Sequence, residues 1–137
     1  PVPGPGQVLV DVRAAGVNFA DVIARTGIYP DAPPFPFCPG YEVAGLVAAL
    51  GAGVTGVAVG DRVLALTKFG GYATRAVADA RILAKIPDRL SFQQAAAIPV
   101  NYLTAWHALV VLANLRPGER VLIHAAAGGV GVAALQI

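Results

Sequence analysis

Apolar residues recur with a period of two in the N-terminal part of the chain, which is the period of strands with one buried face. Gln7–Ala15 alternates in this way, and Val43–Leu50 and Asp61–Leu66 are apolar segments separated by a glycine-rich turn. Tyr72–Val77 and Ile82–Ile86 complete the set. Short strands divided by turns at this spacing predict a small β barrel.

Helical spacing appears around and after these strands. Asn18 precedes Phe19–Arg25, whose apolar residues recur three to four apart, so a short helix capped by Asn18 is predicted. Ser91–Leu115 is predicted to be helical on both sides of a proline. A strand is predicted at Arg120–Ala125 and a helix from Gly129 onward, which together form the first half of a βαβ unit.

Composition narrows the classes of protein that fit this pattern. Apolar residues make up 56% of the chain and charged residues 13%, which indicates extensive burial. The ten Lys and Arg residues are scattered and give a net charge of +2, without the basic stripe that nucleic-acid binding requires, so no nucleic-acid partner is expected. The single Cys38 excludes an internal disulfide and is compatible with a reducing, cytoplasmic location, which we expect.

One uncharged stretch, between Arg89 and Arg116, is long enough to span a bilayer. Several of its residues would lack hydrogen-bond partners in lipid or break the helix: Gln93, Gln94, Pro99, Asn101, His107 and Asn114. A proline-interrupted core helix is therefore favoured over a membrane span.

A glycine-rich turn carries the clearest chemical signature. It follows the apolar segment Val121–His124 and has the spacing A-x-x-G-x-x-G. Glycines between a strand and a helix let the backbone approach a pyrophosphate, whose charge is met by the N–H groups of the helix N-terminus. The alternative is a tight turn packed with small residues. The predicted cofactor-binding residues of this turn are Ala125, Gly128, Gly129, Val130 and Gly131.

Six motifs follow one another in a recognisable order. They are G-V-N-F-A-D at 16–21, P-G-Y-E-V-A-G at 39–45, V-G-D-R-V at 59–63, G-G-Y-A at 70–73, N-Y-L-T-A-W at 101–106 and A-A-A-G-G-V-G at 125–131. In this order they resemble the medium-chain dehydrogenase/reductase superfamily, most of all its quinone oxidoreductases of the vesicle amine transport protein branch. The resemblance implies a GroES-like β-barrel catalytic domain at residues 1–98 and the truncated start of a Rossmann domain at 99–137, hence a fragment of a longer, homodimeric enzyme.

The resemblance also bears on zinc. Zinc-dependent alcohol dehydrogenases of the superfamily place a Cys in the first motif, a His in a G-H-E version of the second, and a third ligand near the helix before the Rossmann strand. Those positions hold Asn18, Tyr41 and approximately Val100, none of which is a zinc ligand. We therefore expect no metal site, and a zinc alcohol dehydrogenase is the least favoured alternative.

The implied activity is hydride transfer from NADPH to a quinone or an α,β-unsaturated carbonyl. Without a metal, hydrogen bonds must polarise the substrate carbonyl. The resemblance implies that Asn18 and Tyr29 donate these bonds and that Asp21 orients them. The spacing alone allows simpler roles: a helix cap, a loop aromatic and a first-turn carboxylate.

Two further residues match the family's nicotinamide-contacting helix, namely Asn101 and Thr104. The simpler interpretation is that both are polar groups bonded to the helix backbone. A non-catalytic relative that keeps the fold for binding is an alternative of a different class, and no basic amphipathic helix supports it.

Overall fold

The computed structural model describes every residue, Pro1–Ile137. The chain divides into two compact units, Pro1–Ala97 and Ile98–Ile137.

The first unit contains five strands, β1 (Gln7–Ala15), β2 (Glu42–Leu50), β3 (Arg62–Leu66), β4 (Arg75–Asp79) and β5 (Leu83–Lys85), and two helices, α1 (Phe19–Ala24) and α2 (Phe92–Ala96). The strands form one antiparallel sheet in the order β4-β1-β2-β3-β5, so that β1, β2 and β3 are the inner strands. The helix α1 follows β1, a 3-10 turn at Ala80–Ile82 precedes β5, and α2 follows β5.

The main core lies on one face of this sheet, where valines of the central strands alternate with residues of the other face. β-Branched side chains suit this position because they are stiff and pack closely on a pleated surface. Buried members of this core are Val8, Val10, Val43, Val47, Val63, Ala65, Ala76 and Ala78. A second cluster, of Ala44, Ile86, Ala95 and Ala96, includes residues of α2.

The strand predicted at Tyr72–Val77 begins three residues later than the sequence pattern indicates, at Arg75. The reason is a competing set of backbone hydrogen bonds. The N–H groups of Gly71 and Tyr72 donate to the carbonyls of Gly40 and Pro39 at 3.1 and 3.0 Å. This segment therefore pairs with the loop before β2.

The second unit contains α3 (Pro99–Trp106), a π-helical stretch His107–Leu112 and α4 (Gly129–Gln136). The strand predicted at Arg120–Ala125 is not formed. A strand needs a neighbour to receive its backbone hydrogen bonds, and this unit contains no other strand. The helices α3 and α4 pack against each other, and the Tyr102 hydroxyl donates to the side chain of Gln136.

The helical stretch Phe92–Leu112 has the length and the mean hydropathy, 1.5, of a membrane span. In its most apolar part, 22% of the residues are buried. Length and composition are weak evidence, because the core helix of a soluble protein passes the same test. Two glutamines, Gln93 and Gln94, and a proline at the start of α3 interrupt the stretch. The absence of a span therefore stays a prediction.

Candidate active site

Two of the predicted catalytic residues, Asn18 and Asp21, lie at the start of α1. Asn18 is the N-cap residue, with an extended backbone (φ −116°, ψ 154°), and Asp21 is the third residue of the helix. The Asp21 carboxylate accepts a hydrogen bond from the Asn18 backbone N–H at 2.9 Å, as in a capping box. The local spacing thus holds the two residues together before any tertiary contact is made.

The Asp21 carboxylate joins three segments of the chain. It is 2% exposed. Its Oδ1 accepts from the Gly40 N–H at 2.9 Å, and its Oδ2 accepts from the Asn18 N–H and from the Tyr72 hydroxyl, each at 2.9 Å. A buried carboxylate needs such donors because loss of water otherwise makes its charge very unfavourable. Asp21 is therefore placed to fix the position of Asn18.

Sequence reasoning missed Tyr72 as a member of this site. The signal available was the tyrosine of the G-G-Y-A motif, but nothing in that motif indicates a bond to Asp21, which lies 51 residues away in the chain. Partial burial and then the hydrogen bond to the Asp21 carboxylate raise the pKa of Tyr72 to about 12. The phenol thus stays protonated and acts as a donor to Asp21.

The side-chain amide of Asn18 contacts a second buried acid, Glu42. The Asn18 Nδ2 donates to the Glu42 Oε1 at 2.9 Å, and Glu42 is 1% exposed. Gly16 provides the space, since a Cβ on it would lie 2.1 Å from that oxygen. The amide nitrogen faces Glu42, and one of its two protons remains for another acceptor. Asn18 thus occupies the N-cap position of α1, while its side chain is an oriented amide donor to Glu42.

A cluster of aromatic rings, comprising Tyr29, Phe35, Phe37, Tyr41 and Phe69, lies on the loops of the first unit. The third predicted catalytic residue, Tyr29, packs edge-on against Tyr41 with ring centroids 6.1 Å apart. Phe69 packs on Tyr41 at 4.9 Å. The Tyr41 hydroxyl is buried and has no hydrogen-bond partner. Burial raises the pKa of Tyr41, and the neighbouring Tyr29 hydroxyl raises it further. The two hydroxyls nevertheless do not meet the distance and angle of a hydrogen bond.

In the second unit, Asn101 lies against the glycine turn. A Cβ on Gly129 would lie 2.5 Å from the Asn101 Oδ1, and one on Gly131 would lie 2.4 Å from the Ala125 carbonyl oxygen. Thr104, on the same helix as Asn101, is exposed. The structure thus brings Asn101 to the turn, while the exposure of Thr104 leaves its role a prediction.

The geometry of the turn fits a dinucleotide. Gly128 is the N-cap of α4 and no side chain caps this helix, so the first-turn N–H groups, at Gly129, Val130 and Gly131, are available for an anion. Ala125 occupies the left-handed region with φ 52°, where glycine is normal in such turns. Residues 125–131 could therefore hold a pyrophosphate.

The donor set does not fit a catalytic zinc. No three His, Cys, Asp or Glu side chains come together in the structure. Cys38, the one cysteine, is exposed, and its Sγ donates to the Tyr72 carbonyl at 3.4 Å. The polar groups around Asn18 are instead a neutral amide, two carboxylates and a phenol.

Comparison with known proteins places this geometry in a family. The model of the alcohol dehydrogenase GroES-like domain matches residues 4–88. The chain is 48% identical over 137 residues to the synaptic vesicle membrane protein VAT-1 homolog of Rattus norvegicus, covering 100% of this chain and 34% of that protein. It is 54% identical over 132 residues to the polyketide synthase GfsB of Streptomyces halstedii, covering 96% and 2%.

Solved structures agree with these matches. The quinone oxidoreductase of Pseudomonas syringae pv. Tomato DC3000 superimposes with a TM-score of 0.88 at 44% identity, over 99% of this chain and 42% of that one. Mycobacterial Rv1454c, solved in complex with NADPH, gives a TM-score of 0.89 at 41% identity, over 99% and 42%. The predicted fold class is confirmed, and the chain spans about a third of the length of its VAT-1 relative.

Tyr72→Phe tests the bond to Asp21. We expect a lower melting temperature at neutral pH, corresponding to roughly 1 kcal/mol, because Tyr72 is 38% exposed and solvent weakens the bond. The folded pKa of Tyr72, about 12, lies above the unfolded value of about 10. The stabilisation is therefore complete below pH 10 and is lost between about pH 10 and 12. Thermal melts from pH 7 to 12 should show less alkaline loss in Tyr72→Phe than in the parent.

Asn18→Asp tests the contact with Glu42. A second carboxylate facing Glu42 raises the pKa of one acid of the pair, so we expect a loss of about 2 kcal/mol at pH 7. The penalty should be small below about pH 4 and grow as the pH rises through the raised pKa. Adding Glu42→Gln exchanges donor and acceptor and should restore most of the stability. Additive losses in urea melts of the four proteins would show that the two side chains are not coupled.

Proposed function

The chain belongs to the alcohol dehydrogenase GroES-like domain family of the medium-chain dehydrogenase/reductase oxidoreductases, and from this premise we propose that the full-length protein uses NADPH to reduce a conjugated carbonyl, a quinone or an enone, without a metal ion. The observation that carries the proposal is the Asn18 amide. It is held by the buried Glu42. The motif resemblance aligns Asn18 with a metal ligand of zinc-dependent relatives.

The reaction requires stabilisation of charge on the substrate oxygen. NADPH, when bound, would supply a hydride, that is, a proton and two electrons, and a second proton would come from solvent, so that a quinone would become a hydroquinone and an enone a saturated ketone. When the hydride adds, negative charge develops on the carbonyl oxygen. A donor that is already oriented stabilises this charge without reorganising during the reaction. The remaining amide proton of Asn18 is such a donor.

Glu42 and Asp21 have supporting roles in this proposal. The Glu42 carboxylate fixes which side of the amide bears the nitrogen, and the Asp21 carboxylate fixes the backbone at Asn18. Both carboxylates also have an electrostatic cost, because they disfavour a further negative charge nearby. A substrate oxyanion beside Asn18 therefore needs more than one donor. The tyrosines of the aromatic cluster are the polar groups available for this.

Two observations support a dinucleotide as the hydride donor. The turn at residues 125–131 has the glycines that a close pyrophosphate requires, and Asn101 packs against it. A structural neighbour with 41% identity was solved with NADPH, which is the reason for proposing NADPH and not NADH.

A second candidate function is enoyl reduction within a polyketide synthase. It is favoured by the 54% identity to GfsB, compared with 48% to the VAT-1 homolog. The acceptor would then be an α,β-unsaturated thioester. The same residues would stabilise the developing enolate oxygen, so the two candidates differ in acceptor and share the chemistry.

Steady-state assays of the full-length protein test the proposal. We expect NADPH oxidation with a quinone or an unsaturated ketone, a kcat/KM at least tenfold lower with NADH, and no loss of activity in EDTA. A crotonyl thioester as acceptor tests the second candidate. Activity that EDTA removes and zinc restores would contradict the metal-free mechanism, and turnover of the thioester alone would select enoyl reduction.

Asn18→Ala should lower kcat for the preferred acceptor about a hundredfold, because losing one oxyanion donor typically costs about 3 kcal/mol. The dissociation constant of NADPH should stay the same. Stability falls too, since the change removes the side-chain partner of the buried Glu42. Ser91→Ala is the matched control: Ser91 caps α2 through a bond from the Gln94 N–H, away from this site. It should lower stability by about 1 kcal/mol and leave kcat unchanged. Equal kcat in both variants would refute the catalytic role.

A further inference from the structure

We propose that the Tyr41 hydroxyl is a second hydrogen-bond donor to the substrate carbonyl oxygen, acting together with Asn18. The inference rests on the proposed function and adds to it a residue that sequence reasoning noted only as a non-ligand. It also assigns to the phenol the polarising task that a metal ion has in zinc relatives.

The first argument is an unsatisfied polar group. The Tyr41 hydroxyl is buried and has no hydrogen-bond partner. A buried hydroxyl without a partner costs roughly 1–3 kcal/mol, so an orphaned one needs an explanation. A ligand oxygen in the site would supply the missing acceptor.

The second argument is position. Tyr41 lies between Gly40, whose N–H binds Asp21 at 2.9 Å, and Glu42, whose carboxylate binds the Asn18 amide at 2.9 Å. The Tyr41 carbonyl accepts from the Thr67 N–H at 2.8 Å, which fixes the backbone at the start of β2. Tyr41 is therefore adjacent in the chain to the two residues that bind Asp21 and Asn18.

The third argument is rigidity. Phe69 and Tyr29 pack on the Tyr41 ring at 4.9 and 6.1 Å, so two aromatic neighbours restrict its orientation. Aromatic pairs at these distances stabilise by about 0.5–1.5 kcal/mol beyond simple burial. A donor whose direction is set in advance is the kind that lowers a reaction barrier.

The protonation state agrees with this role. Burial, together with Tyr29 and the acids Asp31 and Asp21, raises the pKa of Tyr41 above that of an ordinary phenol. The hydroxyl is therefore neutral at any pH at which the protein works. In the proposed step it donates a hydrogen bond and keeps its proton, while solvent supplies the proton that the product gains.

Tyr41→Phe in the full-length protein is the test, because it removes only the oxygen. We expect kcat/KM for a simple benzoquinone to fall tenfold to a hundredfold, with an unchanged dissociation constant for NADPH. The melting temperature should stay the same or rise, since the lost hydroxyl had no partner. Tyr72→Phe is the matched comparison. Its hydroxyl has a known structural partner, so its melting temperature should fall.

The outcomes separate the inference from the proposed function. If the parent reduces quinone and Tyr41→Phe keeps kcat/KM within twofold, the role of Tyr41 is wrong and the proposed function stands. If Tyr41→Phe loses stability as Tyr72→Phe does, the hydroxyl has a structural partner and the inference is also wrong. A parent protein that reduces no conjugated carbonyl would overturn both.

Discussion

The candidate site depends on one buried charge, the Asp21 carboxylate. Its donors come from the start of α1, from the loop before β2 and from the segment before β4, so Asp21 links three parts of the chain. A carboxylate that is 2% exposed is tolerable only while those donors are in place. The requirement works in both directions. The segments must approach one another to satisfy Asp21, and Asp21 then fixes the backbone at Asn18.

A second constraint is the pairing of two acids with neutral donors. Glu42 and Asp21 are both buried; the Asn18 amide donates to Glu42, and the Tyr72 phenol donates to Asp21. The result is a site with negative groups behind its donors. Such a site disfavours a substrate that is already an anion, such as a carboxylate or a phosphate.

In both units, glycines allow other atoms to pack directly against the backbone. Gly16 leaves space for the Glu42 carboxylate, and Gly131 lets α4 begin directly against the Ala125 carbonyl. In each case a single methyl group would collide with an atom that the site needs. The two halves of the proposed chemistry, carbonyl polarisation and dinucleotide binding, therefore use the same backbone device.

The sequence alone determined the features that depend on local spacing. The alternation of Gln7–Ala15 predicted both ends of β1 correctly, and Asn18 followed by Asp21 predicted the start of α1, because strand periodicity and capping are short-range effects.

The tertiary structure decided the rest of the site. The bond from Tyr72 to Asp21 and the contact of Asn18 with Glu42 join residues that are distant in the chain, and no periodicity encodes such pairs. The burial of the Tyr41 hydroxyl without a partner is likewise a result of tertiary packing. The strand expected at Arg120–Ala125 failed for the same reason, since a strand exists only with a neighbour, and pairing is a tertiary property.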